Sequence, residues 1–237
     1  MTEQRLAGGN MTEQVVRVGD TVRRTPHKNS EFVAKLLLHL AARGFDAAPR
    51  YLGRDEGHRE VFTFIEGATS DHPSQRQEGA YAEGALMLHR LHELTRGTPL
   101  AGDAECVEHG DPGPFNTIFR HGMPVALIDW DAAHPGKRLH DLAYLAWTWC
   151  VQSEGAVPVG DQCRRLAEVH RAYPLGTRRE LVDAMLARQR EVATWARAKL
   201  ETRKDPRRLA HAERALRWAC DCHAVLERHR TAFLHAC

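Results

Sequence analysis

Residues 108–131 read EHGDPGPFNTIFRHGMPVALIDWD and place Asp111, Asn116 and Asp129 in one short segment. Residues 116–119 and 125–129 read as two strands around the turn Arg120-His121-Gly122-Met123. In an antiparallel pair the start of one strand lies beside the end of the other. Asn116 and Asp129 are therefore expected at one end of the ribbon, with Asp111 on the loop that enters it. All three side chains carry oxygen, and hard divalent cations such as Mg²⁺ take oxygen ligands while leaving room for phosphate oxygens. Asp and Asn are also ordinary turn residues, and Pro112-Gly113-Pro114 makes a turn in any case. The combined spacing, and neither aspartate alone, carries the prediction of a joint metal-and-base site.

Upstream of this segment, QVVRVGDTVRR (residues 14–24) reads as two strands joined by a Gly-Asp turn. Val33, Leu36, Leu37 and Leu40 recur at helical spacing, predicting a helix from about Ser30 to Arg43, with Ser30 as N-cap and Gly44 as stop. Residues 50–52 and 60–65 read as further strands. Residues 1–66 thus make a small lobe of about five strands and one helix. Gly67–Gln77 is a polar linker, and residues 67–237 read as a mainly helical lobe. Helices are expected around Tyr81–His92, around Leu142–Cys150 with Asp141 as cap, around Leu181–Leu200, and around Leu209–Phe233.

The totals describe a globular chain of 237 residues, 43% hydrophobic and 27% charged. A net charge of +2 is too mild to argue for nucleic acid or an anionic membrane as partner. No apolar run reaches the eighteen or so residues needed to span a bilayer, and the N-terminus has no apolar signal segment. Six cysteines without framework spacing suit a reducing cytoplasm. Cys220-Asp221-Cys222-His223 invites a zinc reading, but helical residues two apart point away from each other.

The order aspartate, four residues, asparagine, strand-turn-strand, aspartate is that of a kinase catalytic loop. HGDPGPFN, ALIDWD and LHDLAYLAW together resemble the aminoglycoside phosphotransferase family of small-molecule kinases, which share the protein-kinase fold. VFTFIEG resembles the family's hinge strand, and GGNMTEQVVRVGDTVRR the start of its small lobe. The resemblance covers most of residues 5–200. It implies an α+β, two-lobed, protein-kinase-like fold, with ATP and Mg²⁺ as cofactors and a small-molecule hydroxyl as acceptor.

Carried over by position, the resemblance makes Asp111 the catalytic aspartate and Asn116 and Asp129 the Mg²⁺ ligands. His109 would shape the loop. Gly8 and Gly9 would cover the phosphates, and Thr63, Phe64 and Ile65 would offer backbone hydrogen bonds to adenine. The chain departs from the usual third-strand lysine. Strand alternation puts Val22 and Arg24 on one face, so Arg24 is expected to take the cation's place at phosphate, with Glu31 as a candidate partner. Asp131 is expected to lie beyond the metal site, where the chain turns. The leading reading is an ATP- and Mg²⁺-dependent phosphotransferase acting on a small molecule such as an aminoglycoside or other antibiotic. The alternative is a catalytically inactive kinase-like binding or scaffold protein. A kinase acting on peptide Ser or Thr is disfavoured by the lack of an activation segment between IDWD and LHDLA.

Overall fold

The computed structural model describes residues 3–6, 15–70, 72–202 and 205–235. Gly8 and Gly9 lie outside the described residues. The chain is of the α+β class and divides into two compact units. The first comprises residues up to Gln77 together with His89–Gly136, and the second comprises Glu78–Leu88 with Lys137 onward. The hairpin bearing Asp111, Asn116 and Asp129 thus groups by contacts with the N-terminal sheet.

That sheet is antiparallel, in the order β1-β2-β3-β5-β4, from β1 (Gln4–Arg5), β2 (Val16–Val18), β3 (Thr21–Arg24), β4 (Tyr51–Arg54) and β5 (Glu60–Thr63). The β2–β3 hairpin turns at Gly19-Asp20, as QVVRVGDTVRR predicts. Helix α1 (Ser30–Ala42) buries Val33, Leu36, Leu37 and Leu40, each stabilising by at most about 1.5–3 kcal/mol. The expected cap moves by one residue. Ser30 is the first helical residue, and its hydroxyl accepts from the His27 backbone N–H at 2.8 Å. Asn29 occupies the cap position without capping, because its amide is committed elsewhere.

The ribbon forms from β7 (Thr117–Arg120) and β8 (Met123–Leu127). Both loop residues, His121 and Gly122, have positive φ, the backbone of a tight hairpin turn. Gly67 lets the preceding linker lie against this ribbon. A Cβ there would sit 2.5 Å from Ile118 Cγ2 and 2.6 Å from the Phe119 carbonyl oxygen, and Ala68 and Phe119 exchange two backbone hydrogen bonds. Strands β6 (Cys106–Glu108) and β9 (His134–Gly136) pair on either side of the loop-and-ribbon segment.

The second unit is helical. Helix α2 (Ala80–Thr95) enters it through residues up to Leu88, followed by α3 (Arg138–Cys150), α4 (Val159–Ala172), α5 (Arg178–Thr202), α6 (Pro206–Arg228) and α7 (Arg230–His235). Two expectations shift. Asp141 sits inside the first turn of α3, which begins at Arg138, so it is not the cap. The final helical run breaks at His229 into α6 and α7. Helix α4 is absent from the expected elements, although it buries Cys163, Leu166, Ala167 and Val169 along one face. Trp147 and Trp149 are fully buried. Trp147 stacks on Trp218 with ring centroids 4.3 Å apart, while Trp149 occupies the space a Cβ would need at Gly84, 2.7 Å away.

The zinc reading of residues 220–223 fails on geometry. Cys220 is exposed, whereas Cys222 is buried against the Ser153 hydroxyl, and burial raises the pKa of its thiol. Among the described residues no group of three His, Cys, Asp or Glu side chains could hold a metal, and no helix is long and apolar enough to cross a membrane.

Candidate active site

The loop carrying Asp111 is built around a fully buried histidine. The Asp111 backbone N–H donates to His109 Nδ1 at 3.4 Å, so His109 Nε2 must carry the proton it shares with the Ile128 carbonyl at 3.1 Å. The imidazole packs on Trp130, ring centroids 4.6 Å apart. Gly110, with φ +83°, lets the chain pass over the turn at Ala132. A Cβ there would lie 2.5 Å from the Ala132 carbonyl oxygen. One buried ring therefore ties the start of the loop to the end of the ribbon.

Asn116, expected to open the strand, instead ends a one-turn helix, Pro114–Asn116, and β7 begins one residue later at Thr117. Its amide nitrogen donates to Asp111 twice, to the backbone carbonyl at 3.1 Å and to carboxylate Oδ2 at 2.8 Å. Both partners can only accept, so the amide must present its NH₂ to them, and its oxygen faces away. The Asn116 carbonyl accepts from the Ile128 N–H at 2.8 Å. Asp129 follows directly, just past β8, with φ +60° and ψ +64°. The ribbon brings Asp111 and Asn116 into direct contact and delivers Asp129 to the same end.

Left-handed backbone is uncommon for a residue with a side chain, and Asp129 is strained electrostatically as well. Its pKa is raised, first by loss of water to surrounding protein and then by the charge of Asp131. Arg24, the Asp131 backbone N–H and His27 oppose the shift. Asp129 is nonetheless exposed, which softens the penalty considerably and leaves an approach open to an ion. A carboxylate held at net cost is one that a cation would relieve.

Arg24 does reach this end of the ribbon, but not with the expected partner. Its Nε donates to Glu60 Oε2 at 3.2 Å, and Nη1 lies 2.5 Å from Asp131 Oδ1. The guanidinium also covers the Phe62 ring. Arg24 and Glu60 are directly opposite in the β3–β5 register, whereas Glu31 is exposed on α1. The Asp131 contact is an ion pair poorly angled for a hydrogen bond. Asp131, expected to be a bystander, is thus the site's second anchor for Arg24.

Asn29 is a member of the site that sequence reasoning missed. Its amide donates to the Asp131 carbonyl at 3.2 Å and the Ala133 carbonyl at 2.8 Å, fastening the start of α1 to the turn after Asp129. A sequence signal for Glu60 existed in strand pairing. None existed for Asn29, whose partners lie over a hundred residues away. Of the three residues expected at adenine, Thr63 and Phe64 spend their N–H groups on the Arg50 and Asp20 carbonyls. The Ile65 N–H has no backbone partner among the described residues.

The chain thus joins a small antiparallel sheet, a D-x4-N loop and an aspartate just past a hairpin. Residues 98–175 match the model described as the phosphotransferase enzyme family, so the resemblance seen in HGDPGPFN and ALIDWD is borne out. The fold is similar to those of many solved structures, among them the following three. A choline/ethanolamine kinase family protein from Mesorhizobium loti is 19% identical, with a TM-score of 0.63 over 98% of this chain and 92% of that one. Spectinomycin phosphotransferase APH(9)-Ia in complex with ADP and spectinomycin is 11% identical, with a TM-score of 0.68 over 96% and 94%. The GDP and kanamycin complex of APH(2")-IIia is 14% identical, with a TM-score of 0.57 over 97% and 93%. Among curated proteins, the chain is 37% identical over 158 residues to the trifolitoxin immunity protein of Rhizobium leguminosarum bv. trifolii. That match spans 60% of this chain and 60% of the relative's length.

Proposed function

We propose that this protein is a nucleotide-dependent phosphotransferase that moves a γ-phosphate to the hydroxyl of a small molecule. The observation that carries the reading is the 2.8 Å hydrogen bond from the Asn116 amide to the Asp111 carboxylate, made at the ribbon end that also presents Asp129. This bond fixes one oxygen of Asp111 and so orients the carboxylate that aligns the alcohol and receives its proton. It also turns the Asn116 amide oxygen away from Asp111. That oxygen and the Asp129 carboxylate suit Mg²⁺, which accepts few protein ligands and keeps its other positions for water and phosphate. When bound, the ion would neutralise charge spreading over the phosphoryl oxygens. Arg24, once released from Asp131, would clamp phosphate through its paired donors, and Ile65 would offer a backbone donor to the base. Alignment and charge neutralisation supply most of the rate in such a transfer.

ATP is the donor we propose. Of the three similar structures named above, one holds ADP and another GDP, so the test includes GTP. Nucleotide consumption with Mg²⁺ is measured against a panel of aminoglycosides, other antibiotics and metabolic alcohols. The reading requires acceptor-dependent turnover that Asp111→Ala reduces at least about 100-fold, with nucleotide binding kept within a few-fold. Wild-type turnover by that variant would remove Asp111 from its role.

A second reading, a kinase-like protein that binds without turnover, is favoured by one observation. Arg24, the cation that β3 places near Asp129, is already held by Glu60 and Asp131. Under this reading millimolar Mg-nucleotide gives no thermal shift, whereas a ligand bound only by the folded chain must give one.

A further inference from the structure

We propose that Phe115 is a specificity-determining residue, a ring on which the acceptor rests. It favours alcohols that carry an aromatic or C–H ring face beside the reacting hydroxyl. This role rests on the phosphotransferase reading of Asp111 and Asn116, and adds to it the class of molecule the loop takes. From Cys106 to Phe119, Phe115 is the one exposed residue. It keeps 40% of its surface, whereas Asn116 beside it is buried.

Single apolar residues on a protein surface are ordinary. Phe115 differs in how it is held. A Cβ at Gly113 would lie 2.3 Å from Phe115 Cζ, 2.6 Å from Cε1 and 2.7 Å from Cε2, so the tip of the ring is folded back onto the Gly113 main chain. Gly113 has φ −74° and ψ 163°, extended backbone that any residue adopts. The turn therefore does not need a glycine at this position. What the missing side chain provides is room for the ring.

That seat is fixed to the reacting group. The Gly113 N–H donates to the Asp111 carbonyl at 2.8 Å, and the Gly113 carbonyl accepts from the Asn116 N–H at 2.9 Å and the Thr117 hydroxyl at 3.0 Å. The Ser70 N–H holds the adjacent Pro114 carbonyl at 3.3 Å. Two residues span at most about 7 Å of chain, so the ring tip rests within a small molecule's breadth of the Asp111 backbone. Between Asp111 and Asn116 the loop holds only Pro112, Gly113, Pro114 and Phe115, and the first three are buried. Phe115 is thus the side chain on this stretch that can read an acceptor by shape. Aromatic rings take flat partners by stacking or edge contact, and a ring pinned at its tip offers its exposed remainder to such a face. A flexible polar alcohol has none to offer.

Fluorine NMR of the full chain labelled with 2-fluorophenylalanine, whose fluorine keeps clear of the ring tip, tests this role without requiring turnover. The Phe115 signal is the one missing from Phe115→Leu. It is expected to shift saturably with phenyl β-D-glucoside, which carries an aromatic and a sugar C–H face, and to stay in place with glycerol at equal concentration. Gly113→Ala unseats the ring and is expected to weaken that binding at least about fivefold, although Phe115 is still present. With a ring-bearing acceptor that turns over, Phe115→Ala is expected to raise the acceptor KM at least about tenfold and to lower saturating turnover less than about threefold. A ring needed only for folding would not split KM from kcat in this way. A Phe115 signal that phenyl β-D-glucoside leaves unmoved, or that glycerol moves equally, overturns the role, as does a wild-type acceptor KM in Phe115→Ala. The phosphotransferase reading fails separately, by absence of nucleotide consumption. A saturable Phe115 shift in a chain without turnover would keep the ring as a binding surface and remove only the chemistry.

Discussion

Arg24 Nη1 stands 2.5 Å from Asp131 Oδ1 while its Nε bonds Glu60 at 3.2 Å. The cation that a phosphate would need is clasped from both sides, by a strand neighbour and by the turn just past Asp129. Glu60 is almost fully buried and Arg24 nearly so. Removing one partner of a buried pair leaves a bare charge and costs about 3–5 kcal/mol. Arg24→Ala is therefore expected to be severely destabilised in chemical denaturation. Arg24→Met combined with Glu60→Met should lose less than Arg24→Ala alone, since neither charge is then stranded. Asp131→Asn keeps the fold and frees the guanidinium, so nucleotide affinity should rise several-fold. An unchanged affinity in Asp131→Asn would show that Arg24 does not serve phosphate.

Asn116→Asp tests the clasp on Asp111. The change replaces a donor 2.8 Å from Oδ2 with a second acceptor. Two carboxylates at that distance cannot both ionise freely, so one pKa rises. Turnover at neutral pH is expected to fall by about 100-fold or more, and the acid limb of the pH–rate profile should move upward. Asn116→Ala removes the donor without adding charge and should lose activity with no such upward move. Identical pH profiles for the two variants would dissociate Asn116 from the base.

Asp129 penalises the folded state at neutral pH. Its folded pKa lies above the unfolded value, so its contribution is most favourable where it is protonated in both states, and is lost as pH rises through the folded pKa. Asp129→Asn removes the charge and suits left-handed backbone better. The variant should melt on the order of 1–3 °C higher than wild type at pH 7 without Mg²⁺. Most of that gain should vanish as pH falls toward about 4, where the unfolded carboxylate titrates. A wild type more stable than this variant at pH 7 would contradict the electrostatic account.

Gly110→Ala should be costly for two separate reasons. The position has φ +83°, and the new methyl would lie 2.5 Å from a carbonyl oxygen that cannot yield without moving the turn. A loss of about 2–4 kcal/mol is expected in denaturant unfolding. Because Gly110 joins His109 to Asp111, residual folded protein should also lose turnover. Gly160→Ala, at a helical site with open space around it, is the control and should be neutral or slightly stabilising.

What the amino-acid sequence determined alone was everything local or close in register. Alternating and helical spacings announced β2, β3, α1 and α5. The spacing of Asp111, Asn116 and Asp129 announced a shared ribbon end, because a hairpin returns the chain to its starting point within a few residues. Tertiary structure decided what those side chains touch. Glu60 rather than Glu31 pairs with Arg24 because sheet order sets β5 beside β3. Asp131 joins the site because Asn29, more than a hundred residues earlier, hydrogen-bonds the turn that carries it. Spacing along a chain specifies neighbours within an element, but the partner of a charge or a buried amide is chosen by which distant elements pack together.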